Sequence, residues 1–245
     1  MTIAFQTKNL SKHFDGVKAV DGLSVEIEKG KITGIIGPNG SGKTTLINML
    51  SGVIGIDGGM AILNDNLKLS KIMPYDISAY GITRTFQDIR LFNQMTVLDK
   101  ILVVLTERNV FSSLFEKHNS YHLAKAKDAL EKVSLWEKRN ELAANLSYGQ
   151  RKLLEIARAI STRAEIYLLD EPFAGLFPEI IKTVSEIIKE LKKEGKTIIF
   201  IEHNMDLIRK LCDYVIVMDN GKLLAQGKPE EVLRKRDVVE AYLGE

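Results

Sequence analysis

The chain has 245 residues, 45% hydrophobic and 27% charged, enough to bury one α/β domain with a subdomain or at most two small domains. Its 34 lysines and arginines nearly balance 32 aspartates and glutamates, so the net charge of +2 gives no support for broad nucleic-acid binding, which calls for a marked basic excess. The one cysteine, Cys212, excludes an internal disulfide framework, suits a reducing compartment and reads as a small buried hydrophobe. Met1–Leu10 does not read as a signal peptide, and no run reaches the ~18–20 apolar residues that span a bilayer. The expectation is a cytosolic chain that meets a membrane only through a partner.

The first elements read as antiparallel sheet. Leu23, Val25 and Ile27 alternate with Ser24, Glu26 and Glu28, and Glu28-Lys29-Gly30-Lys31 supplies a turn. Ile32–Ile36 is a buried strand running into a glycine-rich loop, and Thr44–Leu50 is helical. From about Val97 to Ile160 the chain is rich in Leu, Ala, Lys and Glu at helical spacing; Ala124, Ala126, Ala129, Leu130 and Val133 fit one amphipathic helix. The last third alternates strands (Ile166–Leu169, Thr197–Ile201, Tyr214–Met218) with helices (Ile180–Lys193, Met205–Leu211), the pattern of a parallel sheet. Asp219-Asn220-Gly221 reads as a hairpin turn, and Pro229 with Glu230 and Glu231 opens a C-terminal helix.

Gly37-Pro38-Asn39-Gly40-Ser41-Gly42-Lys43-Thr44 matches the phosphate-binding pattern G-x-x-x-x-G-K-[ST] and sits between an apolar strand and a helix, where that chemistry requires it. The glycines let backbone N–H groups face phosphate oxygens, and the helix dipole points at the same anion. Lys43 adds a point charge, and Thr44 offers a hydroxyl to Mg²⁺. By itself the loop specifies only a P-loop nucleotide hydrolase or transferase. Asp170 and Glu171 end the apolar strand Ile166–Leu169, at the carboxyl edge where a parallel sheet binds ligands. Asp170 is placed to hold Mg²⁺, and Glu171 to polarise a water attacking the γ-phosphate.

Between these motifs lies Leu146-Ser147-Tyr148-Gly149-Gln150, with Ser147 as the N-cap of a helix over Arg151–Ile160. This stretch resembles the LSGGQ signature of ABC ATPases, with Tyr148 at the first glycine position. The resemblance implies a P-loop NTPase core of the ABC type, with an N-terminal antiparallel β subdomain and an inserted α-helical subdomain. It implies one domain over residues 1–245, with the core in 1–87 and 161–245 and the helical part in about 88–160. The ATP-binding residues it implies are Phe14, as an adenine-stacking aromatic, and Gly37 to Thr44 with Thr45. Ser147, Tyr148, Gly149 and Gln150 would serve the ATP of a partner subunit. Gln87 resembles the Q-loop glutamine that reaches Mg²⁺ and the attacking water, and His203 the switch histidine at the γ-phosphate. Catalysis is thereby assigned to Glu171, His203 and Gln87, and metal binding to Thr44, Gln87 and Asp170, with ATP and Mg²⁺ as cofactors.

Further stretches, Gly81-Ile82-Thr83-Arg84-Thr85-Phe86-Gln87, Arg90-Leu91-Phe92, Met95-Thr96-Val97, Ile201-Glu202-His203 and Ala241-Tyr242-Leu243-Gly244-Glu245, are similar to ATPase subunits of branched-chain amino acid importers. Urea and lipopolysaccharide-transport ATPases are relatives of that group. The resemblance implies ATP hydrolysis powering solute import, a second ABC ATPase subunit, two membrane permease subunits and an extracytoplasmic binding protein. It also implies a peripheral place on the cytoplasmic face of the inner membrane and no nucleic-acid partner. A chromosome or repair ATPase would need a long coiled coil in the interval from Thr44 to Ser147, which has only 103 residues and no sustained heptads. One departure stands out: the family's D-loop carries Asp or Asn where this chain has Phe177, so hydrogen-bonded cross-talk between two ATP sites through that residue is not expected. The stretch from Gln87 to Leu105, with Leu91, Phe92 and Met95, and a second one, Val110–Phe115, are candidate permease contacts.

Overall fold

The computed structural model describes residues 2–64, 67–68, 77–85, 94–105, 120–162 and 164–243. They divide into two compact units: Met1–Arg84 with Glu165–Pro172 and Ile188–Glu245, and Thr85–Ala164 with Phe173–Ile187.

In the first unit, β1 (Ile3–Phe14) and β2 (Val17–Leu23) form a hairpin closed by Asp15-Gly16, whose positive φ angles of 46° and 88° suit the twist of a two-residue loop. The expected alternation at Leu23, Val25 and Ile27 is real in burial, but it is divided between two strands. The chain leaves β2 at Leu23 and pairs again as β3 (Glu26–Glu28). The buried Thr7 hydroxyl causes the break: it donates to the Leu23 carbonyl (3.0 Å) and accepts the Val25 N–H (2.9 Å). Completing this antiparallel sheet are β5 (Gly58–Leu63) and β6 (Leu67–Lys68), whereas β4 (Ile32–Ile36) belongs to a second sheet.

That second sheet holds the candidate site. It adds β7 (Ile82–Arg84), β8 (Ile166–Asp170), β9 (Thr197–Ile201), β10 (Tyr214–Asp219) and β11 (Lys222–Gly227), in the order β11-β10-β4-β9-β8-β7. All pairs are parallel except β10 with β11. Every residue of β4, β8 and β9 is buried, which is why these strands read as mostly apolar runs without the alternation of a half-exposed strand. The β10–β11 turn is Asn220-Gly221, with φ of 46° and 77°, and Asp219 pairs with Lys222. The helix opened by Pro229 is a single turn, Pro229–Val232, and a separate helix, Arg236–Leu243, comes after it.

The second unit is helical. Val97–Leu105, Ser120–Lys132 and Tyr148–Ser161 pack on one another through Ile101, Ala126, Leu130 and Leu154, all fully buried. Ala129 and Val133 are buried as the pattern predicts, but Ala124 is exposed on the opposite face. Val133 lies one residue beyond the helix end, just before Ser134 turns the chain at φ 57°.

Close packing at the middle of the parallel sheet is set by Gly34 of β4. A Cβ built there would lie 2.8 Å from both Cys212 Sγ and Ile208 Cδ1. Cys212 is half-buried and not part of the fully buried core expected of it, although burial still pushes its thiol far above its ordinary range. Gly34→Ala should cost about 1–3 kcal/mol in urea unfolding through overpacking, and adding Cys212→Ala should recover part of that loss.

Candidate active site

Backbone register places the site. Ile35 of β4 pairs with Ile201 of β9, and Ile201 with Asp170 of β8, so three adjacent parallel strands end in one row. Beyond that row the chain continues as Gly37–Thr44 from β4, Glu171 from β8 and Glu202-His203 from β9. These groups, scattered over 167 sequence positions from Gly37 to His203, are thus delivered to a single sheet edge, the carboxyl edge at which parallel sheets bind ligands.

The loop from Gly37 to Gly42 wraps under the helix Lys43–Leu50. Gly42 is its N-cap at φ 97°, and a Cβ there would lie 2.1 Å from the Ala19 carbonyl oxygen. At Gly37, φ is 147° and a Cβ would fall 2.0 Å from the Met218 carbonyl oxygen, so both positions exclude any other residue. Lys43 is buried, and its Nζ donates to the carbonyls of Gly37 (2.8 Å) and Pro38 (2.7 Å) and approaches Ser41 Oγ (3.4 Å). The ammonium is therefore held at the centre of the loop. Asn39 and Gly40 are exposed, and Thr44 and Thr45 are half-buried in the first helical turn.

Asp170 is buried at the end of β8, where its Oδ2 lies 3.3 Å from Arg84 Nη2. Arg84 also donates to Ser51 Oγ (2.7 Å), and Ser51 donates to the Ile47 carbonyl (2.7 Å). One guanidinium thus ties β7 to the strand end and to the C-terminus of the loop's helix. In the sequence, Arg84 stands out only as one member of a longer resemblance. Its sole local signal is a long cation at the end of a strand, and nothing sequential points it at Asp170, 86 residues away.

Glu171 adopts φ 48°, a left-handed conformation that costs a non-glycine residue roughly 1–3 kcal/mol. Its Oε1 lies 3.2 Å from His203 Nε2. The residue before His203 has a role that no motif assigns to it. The buried Glu202 accepts the backbone N–H groups of His203 (2.9 Å) and Asn204 (3.0 Å) through Oε1, while its Oε2 is buried with no hydrogen-bond partner among the described residues. Burial raises the Glu202 pKa above its ordinary value of 4.5, and the two backbone N–H bonds only partly oppose it. Asn204 then caps the helix Met205–Leu211 by accepting from Asp206 N (3.0 Å) and Leu207 N (3.3 Å). The turn carrying His203 is clamped on both sides.

Phe14 stands at the end of β1, 44% exposed, with Lys12 Nζ 5.3 Å from its ring centroid, so it is a surface aromatic and not a core one. Gln87 lies outside the described residues, as do Leu91, Phe92 and Val110–Phe115. In the second unit, Ser147 caps the helix Tyr148–Ser161 in a reciprocal box: its Oγ accepts Gln150 N (3.3 Å), and Gln150 Oε1 accepts Ser147 N (3.0 Å). Phe177 is 74% exposed, and its carbonyl accepts Ile180 N and Ile181 N, both at 3.0 Å, as the helix Pro178–Lys193 begins.

A glycine loop enclosing a lysine, beside a strand ending in Asp-Glu, defines a P-loop nucleotide hydrolase on a parallel α/β sheet. The family is narrower than that: the sequence profile of the ABC transporter family matches residues 20–174, and the chain belongs to that family. It is 42% identical over 245 residues to a "probable branched-chain amino acid transport ATP-binding protein LivG" of Archaeoglobus fulgidus, covering 98% of this chain and 95% of the relative. It is 40% identical to the high-affinity branched-chain amino acid transport ATP-binding protein LivG of Escherichia coli K12, covering 96% of each. Among solved structures, the ADP conformation of an ATP-binding cassette of an ABC transporter superposes with a TM-score of 0.86 at 37% identity, over 100% of both chains. The chain is thus an ABC-type ATPase, a nucleotide-binding subunit with the α/β core, antiparallel β sheet and helical unit of that fold. Among its described residues no helix is long and apolar enough to cross a membrane.

Both buried carboxylates bear on stability. Arg84→Met should cost roughly 3–5 kcal/mol in denaturant unfolding, because it removes the guanidinium that faces the buried Asp170 carboxylate. For Glu202, whose pKa is raised on folding, the native state binds the proton more tightly than the unfolded chain, so stability falls as pH climbs upward from about 4.5. Glu202→Gln keeps the oxygen that accepts both N–H groups but removes the titration. Its urea midpoint should therefore gain on the wild type as pH rises from 5 to 8, with the two curves converging toward acid pH.

Proposed function

We propose that this chain hydrolyses ATP to drive uptake of branched-chain amino acids by an ABC importer, as one of two nucleotide-binding subunits docked on a pair of membrane permease subunits. The observation that carries the hydrolytic part is the shared edge of β4, β9 and β8, which sets the lysine loop, Glu171 and His203 side by side. The cargo reading rests on the relatives, which are named for branched-chain amino acid transport. An extracytoplasmic binding protein would deliver the solute, and the chain would sit on the cytoplasmic face of the membrane.

In this reading the N–H groups of Gly40 to Thr45 and the Lys43 ammonium bind the β- and γ-phosphates, and the Phe14 ring stacks on adenine. Thr44 and Asp170 offer hydroxyl and carboxylate oxygens, a hard donor pair that fits Mg²⁺, and Gln87 is the third candidate ligand. When bound, that ion would neutralise charge developing on the phosphates. Glu171 accepts a proton from the attacking water, and His203, 3.2 Å from the Glu171 carboxylate, orients it and contacts the γ-phosphate. Glu171 is held in a left-handed backbone conformation, the kind of strain that collects at functional sites.

Ser147 to Gln150 serve the ATP of the partner subunit. At the D-loop position Phe177 offers an aromatic ring where a carboxylate or amide is usual, so with a non-identical partner subunit the two ATP sites of the assembly would be unequal. Glu171→Gln should retain ATP binding, lower turnover by at least about a hundredfold, and accumulate ATP-bound dimers in light scattering. Unchanged turnover would remove Glu171 as the base. For the cargo, liposomes holding the co-purified complex should take up leucine, isoleucine or valine only with ATP inside; uptake of urea instead would redirect the assignment.

A further inference from the structure

Tyr148 occupies the first position of the helix Tyr148–Ser161, and its ring lies on the segment just downstream of Glu171 in the chain. Its hydroxyl donates to the Ala174 carbonyl at 3.4 Å. Gly175 turns there at φ 68°, and a Cβ on it would sit 3.2 Å from Tyr148 Cε1. At the next position the relation inverts. Gly149 leaves room for Ile180, whose Cδ1 would lie only 2.4 Å from a Cβ at 149. Two consecutive residues of Ser147–Gln150 therefore seat the segment Ala174–Ile180, one by bulk and the other by the lack of it.

The same segment is fixed from its own side. Phe173 is buried, Leu176 N donates to the Phe173 carbonyl (3.3 Å), and the Phe177 carbonyl caps the first turn of the helix Pro178–Lys193. Everything from Phe173 to Phe177 lies in the second unit together with Tyr148, while Glu171 precedes Phe173 by two residues. A five-residue segment clamped in this way has few backbone degrees of freedom left. Its N-terminal end joins Glu171 through Pro172 alone, so the chain offers a short covalent path between the two.

We propose that Tyr148 is a positioning residue for hydrolysis: it latches Phe173–Phe177 to the start of the signature helix, so that engagement of Ser147–Gln150 by the partner's nucleotide is transmitted through the Gly175 contact to Glu171 of the same chain. The inference rests on the reading that Ser147–Gln150 serve a partner's ATP. The latch is carried by the ring, since the hydroxyl contact is long and Cε1 is the atom that a Cβ on Gly175 would meet first.

The test uses the full chain with its co-purified partner subunits, and the variants Tyr148→Phe, Tyr148→Gly and Tyr148→Ala. Tyr148→Gly converts the stretch to the usual LSGGQ of the family, so a signature acting without a latch would hydrolyse ATP at least as fast. The latch predicts instead that Tyr148→Gly and Tyr148→Ala lower kcat about tenfold, with the KM for ATP within about twofold and reduced cooperativity in ATP. Tyr148→Phe, which keeps the ring and removes only the hydroxyl, should lose clearly less kcat than Tyr148→Ala. Full activity in Tyr148→Gly would overturn the latch, and so would a fall in kcat matched by weaker binding of a fluorescent ATP analogue and a lower unfolding midpoint, the pattern of simple structural damage. Ser147→Arg separates the underlying reading: wild-type turnover there means that the signature serves no partner site, whereas loss of turnover there with full activity in Tyr148→Gly rejects the latch alone.

Discussion

The parallel pairing of β4, β9 and β8 is the constraint on which the rest depends. Their ladder is made by backbone groups, so it fixes the relative height of three strand ends whatever side chains the loops beyond them carry. A slip of one residue in β8 would turn Asp170 to the other face, away from Arg84, and would carry Glu171 out of reach of His203. The register is protected because all three strands are buried on both faces, where any slip exposes a mismatched set of side chains to tight packing.

Around that edge, each buried charged side chain is answered at least in part. Asp170 faces Arg84, Lys43 faces the carbonyls of Gly37 and Pro38, and Glu202 folds onto the N–H groups of the next two residues. Each pairing costs desolvation and is retained because an unanswered buried charge costs more. The result is a set of polar side chains each held by its own partners, the kind of arrangement that gives electrostatic help in phosphoryl transfer. Strain belongs to the same arrangement: Glu171 is the strand-end residue with a left-handed backbone, and its neighbours on both sides are buried.

The helical unit applies a different principle. Its polar signature stretch is satisfied by its own capping box, and its identity resides in shape: a tyrosine against Gly175, a glycine against Ile180. Capping holds the helix start in one conformation, and the aromatic contact adds the neighbouring segment to that rigid piece. Phe177, leading out of this segment, is mostly solvent-exposed, so its ring adds little to the packing of the fold.

Local patterns along the chain were enough to find the fully buried, mostly apolar strands, the glycine loop between Ile36 and Lys43, the Asn220-Gly221 turn and the Ser147 cap, because each arises from local rules of burial period, φ preference or side-chain capping. The sequence also brought out the order of the ABC motifs, which local chemistry ties to strand ends and helix starts. It did not show the division between Leu23 and Glu26, where a buried threonine hydroxyl from β1 replaces ladder bonds, nor the single turn after Pro229. Nothing in the sequence marks Phe173–Ile187 as part of the helical unit. Only the tertiary structure decided that Arg84 answers Asp170, that Glu202 holds the turn of His203, and that Tyr148 rests on Gly175. Those contacts join residues from 27 to 86 positions apart, or turn on which way a side chain folds back, and such choices are set by packing in three dimensions and not by any period along the chain.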